Sequence, residues 1–323
     1  MEHIRRLAIL TSGGDAPGMN AAIRAVVRSA SVYDIETLGV LDGFAGLARQ
    51  RFLPLDNRGV GGILARGGTI LGSARYPEFS NLAIQQHVAA QLTAAGIEGL
   101  IVIGGNGSQQ GALALHRQGF PVVGIASTID NDLAATETSI GVDTALNTAV
   151  SYIDRLRDTA TSHRRTFVVE IMGRDSGYLA VMTAIATGGG LAIVPERDIT
   201  LDAITADIEA TYKRGKAHYI AVVAEGAQLN AHALMDHLST YPAYEARLSV
   251  LGHVQRGGSP TARDRVLASQ FGAAAIEAIT AGAYGQLIGR IKGTIAHIPL
   301  EDAVKPCQKV TPELLKLADV LVR

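Results

Sequence analysis

The sequence predicts an α/β fold with mostly parallel sheets. Short apolar runs such as Leu7–Leu10, Leu100–Ile103 and Tyr219–Ala224 recur along the chain. Stretches with helical periodicity separate them, and strand–helix alternation of this kind builds parallel sheets. Glycine-rich loops follow several of the runs. In such folds these loops lie at the carboxyl ends of strands, where ligands bind.

The first strand is Leu7–Leu10. The loop Thr11-Ser12-Gly13-Gly14-Asp15-Ala16-Pro17-Gly18-Met19-Asn20 leads into a helix with Ile23, Val26, Val27 and Ala30 on one face. A strand, a Gly-Gly loop and a helix N-terminus make a place for phosphate, because free backbone N–H groups point at it. The loop matches neither a Walker A sequence nor the dinucleotide fingerprint. Arg24 and Arg28 lie four apart and share a helix face, which on its own reads as a solvated face.

Thr37–Leu41 is the next strand, and Asp42–Gly46 is expected to be a loop. In the stretch from Arg66 to Pro77, glycine, serine and alanine leave a bare backbone from which Arg75 and Tyr76 project. Such an arginine either reaches a phosphate with its planar fork or is solvated. A helix is expected over Leu82–Ala95. Leu100–Ile103 then leads into Gly104-Gly105-Asn106-Gly107-Ser108 and another helix, a second unit of strand, glycine loop and helix N-terminus.

The strand Pro121–Ile125 leads into Ala126-Ser127-Thr128-Ile129-Asp130-Asn131-Asp132. Asp130 and Asp132 are two apart and would share a side of an extended segment. A carboxylate just past a strand takes a proton from a substrate hydroxyl in phosphoryl transfer. The same residues also suit a turn whose side chains bond their own backbone.

A long helix is expected from 144 to about 158, and a second series of strands begins after His163-Arg164-Arg165. Its strands, Thr166–Ile171, Leu191–Val194, Tyr219–Ala224 and Leu248–Gly252, run into Met172–Gly177, Pro195-Glu196, Glu225-Gly226 and His253–Pro260. Pro260 suits the first turn of the helix after it. No Pro- or Ser-rich linker marks the change of series near residue 142.

A chain of 323 residues has ample core for two domains. The net charge of −1 gives no bias toward nucleic acid or a membrane surface. No apolar run reaches the ~18 residues of a membrane span, and the N-terminus enters a strand without signal-peptide architecture. The single cysteine, Cys307, excludes an internal disulfide and reads as incidental; a cytoplasmic location is expected. Charged residues are 18%, below the ~25% of typical soluble domains, and with much Ala and Gly this points to surface buried between subunits.

Five motifs carry a family resemblance: TSGGDAPGMNAAIR (11–24), GGTILGSARYPEF (67–79), STIDND (127–132), MGRDSG (172–177) and LGHVQRGGSP (251–260). In order and in register over nearly the whole chain, they resemble bacterial ATP-dependent 6-phosphofructokinase. The resemblance implies two α/β/α Rossmann-like domains, 1–141 plus 254–304 for the nucleotide and 142–253 plus 305–323 for fructose 6-phosphate. It implies transfer of the γ-phosphoryl group of ATP to the sugar 1-hydroxyl, with Mg²⁺, in a homotetramer.

By matched position, Asp130 is the implied base, and Thr128 and Asp132 hold that end of the sugar. Gly14 offers its N–H to the transferred group, and Arg75 and Arg174 spread the developing charge. Tyr76, Gly107, Ser108 and Gly111 fall on the nucleotide side. Met172, Gly173, Glu225, His253 and Arg256 face the sugar phosphate, with Arg165 and Arg247 supplied by a neighbouring subunit. Read without the resemblance, His253 would be a structural histidine. Arg24, Arg28, Arg157, Arg214 and Lys216 match the basic side of an effector pocket for ADP or GDP and phosphoenolpyruvate.

The chain also departs from the family. Asn106 stands where an Asp helps bind the metal, and losing that charge predicts weaker use of Mg²⁺, which favours anionic oxygen. Gly107 and Ser127 replace the Asp and Lys of pyrophosphate-using relatives and leave room for a nucleotide, although Ser127 replaces the usual Gly. Phe79 continues the pattern, but the basic residues that normally follow it are missing from Ser80–Gln86. Asn57 (next to Arg58) replaces an Arg, and Gly190 replaces an acid, in the effector pocket. Two alternatives stay open: pyrophosphate-dependent transfer, and a poorly active or non-catalytic sugar-phosphate-binding subunit.

Overall fold

The buried run Leu7–Leu10 forms the middle of β1 (Arg6–Ser12), the strand around which the larger sheet is laid. A computed structural model describes residues 4–163, 165–307 and 310–322. The chain continues through α1 (Met19–Val32), β2 (Glu36–Val40), α2 (Gly43–Ala48), β3 (Phe52–Leu55), α3 (Leu82–Ala94), β4 (Gly99–Gly104), α4 (Asn106–Arg117) and β5 (Val122–Ala126). Then come α5 (Val142–His163), β6 (Thr166–Ile171), α6 (Tyr178–Thr187), β7 (Ala192–Ile193), α7 (Leu201–Lys213), β8 (Tyr219–Ala224), α8 (Ala231–Ser239) and β9 (Arg247–Val250). The remainder is α9 (Ala262–Thr280), β10 (Gln286–Ile291), β11 (Thr294–Pro299), α10 (Leu300–Ala303) and α11 (Pro312–Val322).

The contacts divide the chain into two units, Met1–Thr144 with Arg256–Cys307, and Ala145–Gln255 with Gln308–Arg323. The first holds a seven-stranded sheet in the order β11-β10-β5-β4-β1-β2-β3. From β1 the chain winds one way to β2 and β3, then returns to lay β4 and β5 on the other side. The reversal falls between β1 and β4, and it opens the crevice where such sheets take ligands. The loops after β1, β4 and β5 leave the same edge, because these neighbours pair in parallel. The second unit holds four parallel strands in the order β7-β8-β6-β9, so the loops after β6, β8 and β9 also share an edge. Val168, Ile193, Ile208 and Leu234 belong to the core of this unit.

Several elements differ from the sequence reading. The expected loop Asp42–Gly46 coils into α2. The helix expected from 144 to about 158 runs from Val142 to His163, because fully buried Ala160 anchors the last turns while polar Asp158, Thr159, Thr161 and Ser162 face outward. Pro260 lies outside the first turn of α9. Thr261 is the N-cap, its hydroxyl accepting from Asp264 N at 3.2 Å. Only Ala192–Ile193 of the run Leu191–Val194 pairs as strand, and the chain after Val250 coils into a 3₁₀ turn at Gly252–Arg256.

The β10–β11 hairpin is an antiparallel addition the sequence reading does not contain. Its turn, Lys292-Gly293, has φ of 49° and 76°, and a lysine in the left-handed region hides the usual Asn-Gly signal. Among the described residues, no helix is long and apolar enough to cross a membrane.

Ile101 is fully buried in β4, between β1 and β5. Ile101→Ala is expected to cost about 2–5 kcal/mol, read as a lower urea midpoint by circular dichroism.

Candidate active site

In the first unit, three loops meet the edge formed by β1, β4 and β5. The loop after β1 presents Gly13 and Gly14, both exposed. A side chain on Gly14 would meet the Arg256 guanidinium where it now lies. Arg256 Nη1 donates to Asp15 O at 3.3 Å, which sets a cation beside the loop.

The stretch from Arg66 to Ser73 is laced onto the same end. Asn20 Nδ2 donates to Arg66 O and Gly67 O, both at 3.1 Å, and Asn20 Oδ1 accepts from Ile70 N at 2.8 Å. The Thr11 hydroxyl donates to Gly72 O at 2.8 Å, and the Ser73 hydroxyl to Gly13 O at 2.5 Å. Beyond this anchored stretch Arg75 is exposed. Tyr76 tilts against Phe79 with ring centroids 6.3 Å apart, and buried Phe79 stacks on Phe44 at 4.4 Å. Gly111 lies against the Phe44 ring.

The loop after β4 ends at the N-terminus of α4, capped by no side chain and with no acid in its first turn. Free N–H groups and the helix dipole suit an anion here. Gly107 is exposed with open space where a side chain would be, and Ser108 is buried. Asn106 Oδ1 accepts from Gln110 Nε2 at 2.7 Å.

Gln109, which sequence reasoning passed over, is fully buried. Its amide donates to Gly104 O at 2.9 Å and Ile125 O at 3.2 Å, tying the ends of β4 and β5 together. The available signal is a glutamine on the apolar face formed with Ala112 and Leu113. Asn20, in the helix after the Gly-Gly loop, carries no comparable signal.

The loop after β5 holds Thr128 and Asp130, each 6% exposed, and half-buried Asp132. It is not an extended segment: Asn131 sits at φ 50°, so alternation along a strand does not place the two acids. Thr128 N donates to Ile140 O at 3.1 Å, the Ser139 hydroxyl donates to Thr128 O at 2.8 Å, and Asp130 N donates to the Thr128 hydroxyl at 3.1 Å. The stretch is a side-chain-braced turn that also keeps a carboxylate nearly out of water. Ser127 is fully buried and takes no space from the open side.

In the second unit, the loop after β6 is held by two side chains. Gln255 Oε1 accepts from Met172 N at 2.8 Å. Glu225 Oε1 accepts from Gly173 N at 3.2 Å and Arg174 N at 2.6 Å. Arg174 has φ 55°, a conformation an L-residue resists, and Glu225 holds it there with the side chain exposed. His253 is exposed in the 3₁₀ turn after β9. Met172, Gly173, Arg174, Glu225 and His253 thus sit at the carboxyl edge of this sheet.

Arg165 and Arg247 do not join them. Arg165 precedes β6 and Arg247 opens β9, so both stand at the amino edge, about 20 Å away along six-residue β6. There Arg165 Nε pairs with Glu245 Oε2 at 3.0 Å, and Arg247 Nη1 donates to Ala246 O at 2.9 Å.

Of the proposed effector residues, Arg24 is half-buried and Arg28 exposed on α1. Asn57 Nδ2 donates to the Ser31 hydroxyl at 3.0 Å. In the second unit a cavity of about 40 Å³ is lined by Gly188, Gly189, Gly190, Thr211, Lys216 and His218. That volume holds a few waters. Arg157 donates to Thr187 O, and Arg214 Nη2 to the Thr211 hydroxyl at 3.0 Å. Burial, then the Arg157 and Lys216 charges, hold the His218 imidazole below its usual value. A side chain at 190 would overlap the Ile220 carbonyl, so the backbone as folded excludes an acid there.

The phosphofructokinase family profile matches residues 6–279. An ATP-dependent 6-phosphofructokinase of Lysinibacillus sphaericus is 53% identical over 286 residues, covering 88% of this chain and 89% of that one. An ATP-dependent 6-phosphofructokinase 1 of Thermus thermophilus is 48% identical over 320 residues, covering 98% and 99%. A solved phosphofructokinase of Saccharomyces cerevisiae superposes with a TM-score of 0.86 at 34% identity. It covers 93% of this chain, which spans 45% of that longer one.

Glu225→Ala removes the acceptor that holds Arg174. Exchange of the Arg174 amide is expected to quicken about tenfold or more, measured by hydrogen–deuterium exchange, because a charge-assisted bond is worth about 1.5–3 kcal/mol.

Proposed function

The chain belongs to the phosphofructokinase family, and we propose that it catalyses ATP-dependent phosphorylation of fructose 6-phosphate at the 1-hydroxyl, a step of glycolysis. The observation that carries this reading is the buried carboxylate of Asp130, on a turn with a braced backbone, at the same sheet edge as the Gly14 loop and the open N-terminus of α4. Phosphoryl transfer needs a base, a nest of N–H groups and cations rather than covalent chemistry.

The nucleotide is assigned to 1–141 plus 254–304, and fructose 6-phosphate to 142–253 plus 305–323. Asp130 accepts the proton of the 1-hydroxyl, while Thr128 and Asp132 orient that hydroxyl. Gly14 N–H meets the transferred group, and Arg75 and Arg174 neutralise the charge that develops on it. Tyr76, Gly107, Ser108 and Gly111 serve the nucleotide side. Met172, Gly173, Glu225, His253 and Arg256 serve the sugar phosphate. The placement of Arg165 and Arg247 at the opposite edge of their sheet supports assigning them to the substrate of a neighbouring copy in a homotetramer. A dianionic phosphate suits such guanidinium forks. A cytoplasmic location goes with this glycolytic reading.

Mg²⁺ is the implied metal. Among the described residues, no group of three or more His, Cys, Asp or Glu is arranged to hold an ion. Asn106 offers one neutral oxygen, already bonded by Gln110. These donors fit Mg²⁺ carried on the nucleotide's phosphates beside Asn106, and they do not fit a protein cage. When bound, the metal would offset charge on the β- and γ-phosphates.

The effector reading is narrower. The small cavity and the excluded acid at 190 support anion binding by Arg157, Arg214 and Lys216, with Arg24 and Arg28 on α1, and they oppose metal-dependent ADP regulation. ADP or phosphoenolpyruvate remain the effectors to assay.

Turnover of fructose 6-phosphate should proceed with MgATP and not with pyrophosphate, in steady-state assays across a Mg²⁺ titration. Turnover with pyrophosphate alone would overturn the donor assignment. No turnover with either donor, from folded protein that still binds the sugar phosphate, would favour the binding-subunit reading. Asn106→Asp restores a charge-assisted contact worth about 1.5–3 kcal/mol, so activity at limiting Mg²⁺ is expected to rise roughly ten- to a hundredfold. An unchanged rate would remove Asn106 from the metal's surroundings.

A further inference from the structure

One buried carboxylate outside the assigned machinery holds two helix starts at once. Asp264, in the first turn of α9, is 1% exposed. Its Oδ1 accepts from Gly141 N at 3.0 Å, and its Oδ2 accepts from Thr144 N at 2.8 Å and the Thr144 hydroxyl at 2.5 Å. Both partners lie at the start of α5. The Thr144 hydroxyl in turn accepts from Thr261 N at 3.0 Å, and the Thr261 hydroxyl donates to Asp143 Oδ2 at 2.7 Å. Asp143, Thr144, Thr261 and Asp264 thus close a ring between the N-termini of α5 and α9.

Capping alone does not call for this arrangement. An ordinary N-cap needs one acceptor and works at the surface. Here a carboxylate is taken almost entirely out of water, a costly step unless its bonds are complete. Burial pushes the Asp264 carboxyl above its usual value, while the bonds from Thr144 and Gly141 pull it back.

What the ring holds explains the cost. Gly141 follows Ile140, whose N–H and carbonyl pair with Ala126 O and Thr128 N, each at 3.1 Å. Residues 139–141 are therefore the floor of the Thr128–Asp130 loop. On the α9 side the preceding loop is fixed in turn: the Ser259 hydroxyl donates to Ala65 O at 2.8 Å, Arg265 Nε donates to Pro260 O at 2.7 Å, and Arg256 donates to Asp15 O at 3.3 Å. One carboxylate joins the floor under Asp130 to the segment that sets Arg256 beside Gly14.

We infer that Asp264 is a positioning residue for phosphoryl transfer, acting through Gly141 and Thr144 to hold Asp130 in place relative to the Gly14 loop. This role rests on the kinase reading above. Misplacing a reacting group by about 1 Å can cost about a hundredfold in rate. The nucleotide loop after β4 is braced chiefly by Gln109, which bonds no member of the ring, so the KM for ATP is expected to change little.

The test compares Asp264→Asn, Thr144→Val and Thr144→Ser in the full chain, reading kcat, the KM for ATP, melting temperature and hydrogen exchange over 128–144. Asp264→Asn and Thr144→Val are expected to lower kcat about ten- to a hundredfold, leave the KM for ATP within about twofold, and quicken exchange in 128–144. Thr144→Ser keeps the hydroxyl and is expected to keep kcat. Should Asp264→Asn fail to fold, the Thr144 pair decides. A lower melting temperature with unchanged kcat would reduce the ring to a structural cap and overturn the proposal. So would an equal loss of kcat in Thr144→Val and Thr144→Ser. A wild-type chain without turnover overturns the kinase reading, and this role with it.

Discussion

The parallel ladder between β1 and β4 is the constraint on which the rest of the structure depends. It runs from Leu7 opposite Gly99 to Ser12 opposite Gly104, and it brings two glycine loops far apart in sequence to one edge. Only an interior pair with apolar side chains on both faces can be buried this way, which is why both strands read as unbroken apolar runs. Changing the winding after β1 would carry the Gly14 loop away from the start of α4, and no side-chain contact would bring it back.

At the carboxyl edge of each sheet, holding groups and long exposed cations are separate. Main-chain segments are secured by buried or tightly bonded polar groups: Asn20 for the 66–70 stretch, Gln109 for the strand ends, Gln255 for Met172 and Glu225 for the strained Arg174. The two cations proposed to meet the transferred group, Arg75 and Arg174, stay exposed on these fixed backbones. The framework is fixed by the chain's own bonds, and the long side chains remain outside it. Glu225 belongs to the holding set, since one of its oxygens accepts two N–H groups.

Much of this was legible in the sequence, because period and composition report burial. Strand runs, the glycine loops and the α1 face follow from local pattern alone. Roles for Asp130, Arg174 or His253 came from family resemblance, since an acid past a strand is equally a turn residue. What escaped was set by contacts distant in sequence. Asp264 looks like an ordinary first-turn acid until α5 is placed beside it. The β10–β11 hairpin escaped because a lysine occupies a turn position normally left to Asn or Asp. Likewise, the two acids of 130–132 resisted a spacing argument once Asn131 turned the chain out of the extended region.

The division of the first unit into two separated stretches of chain has a consequence for synthesis. β5 is complete at Ala126, yet its outer partner β10 begins at Gln286. At about 5–20 residues per second, a ribosome delivers that partner about 8–30 s later. During that interval β5 is an open sheet edge, the kind of surface on which nascent chains stick to one another. The α9 segment carrying Asp264 also arrives late, so the acidic loop after β5 is among the last parts of the molecule to be framed. The acidic loop after β5 is thus made early and secured late, beside a sheet edge that stays open until β10 is delivered.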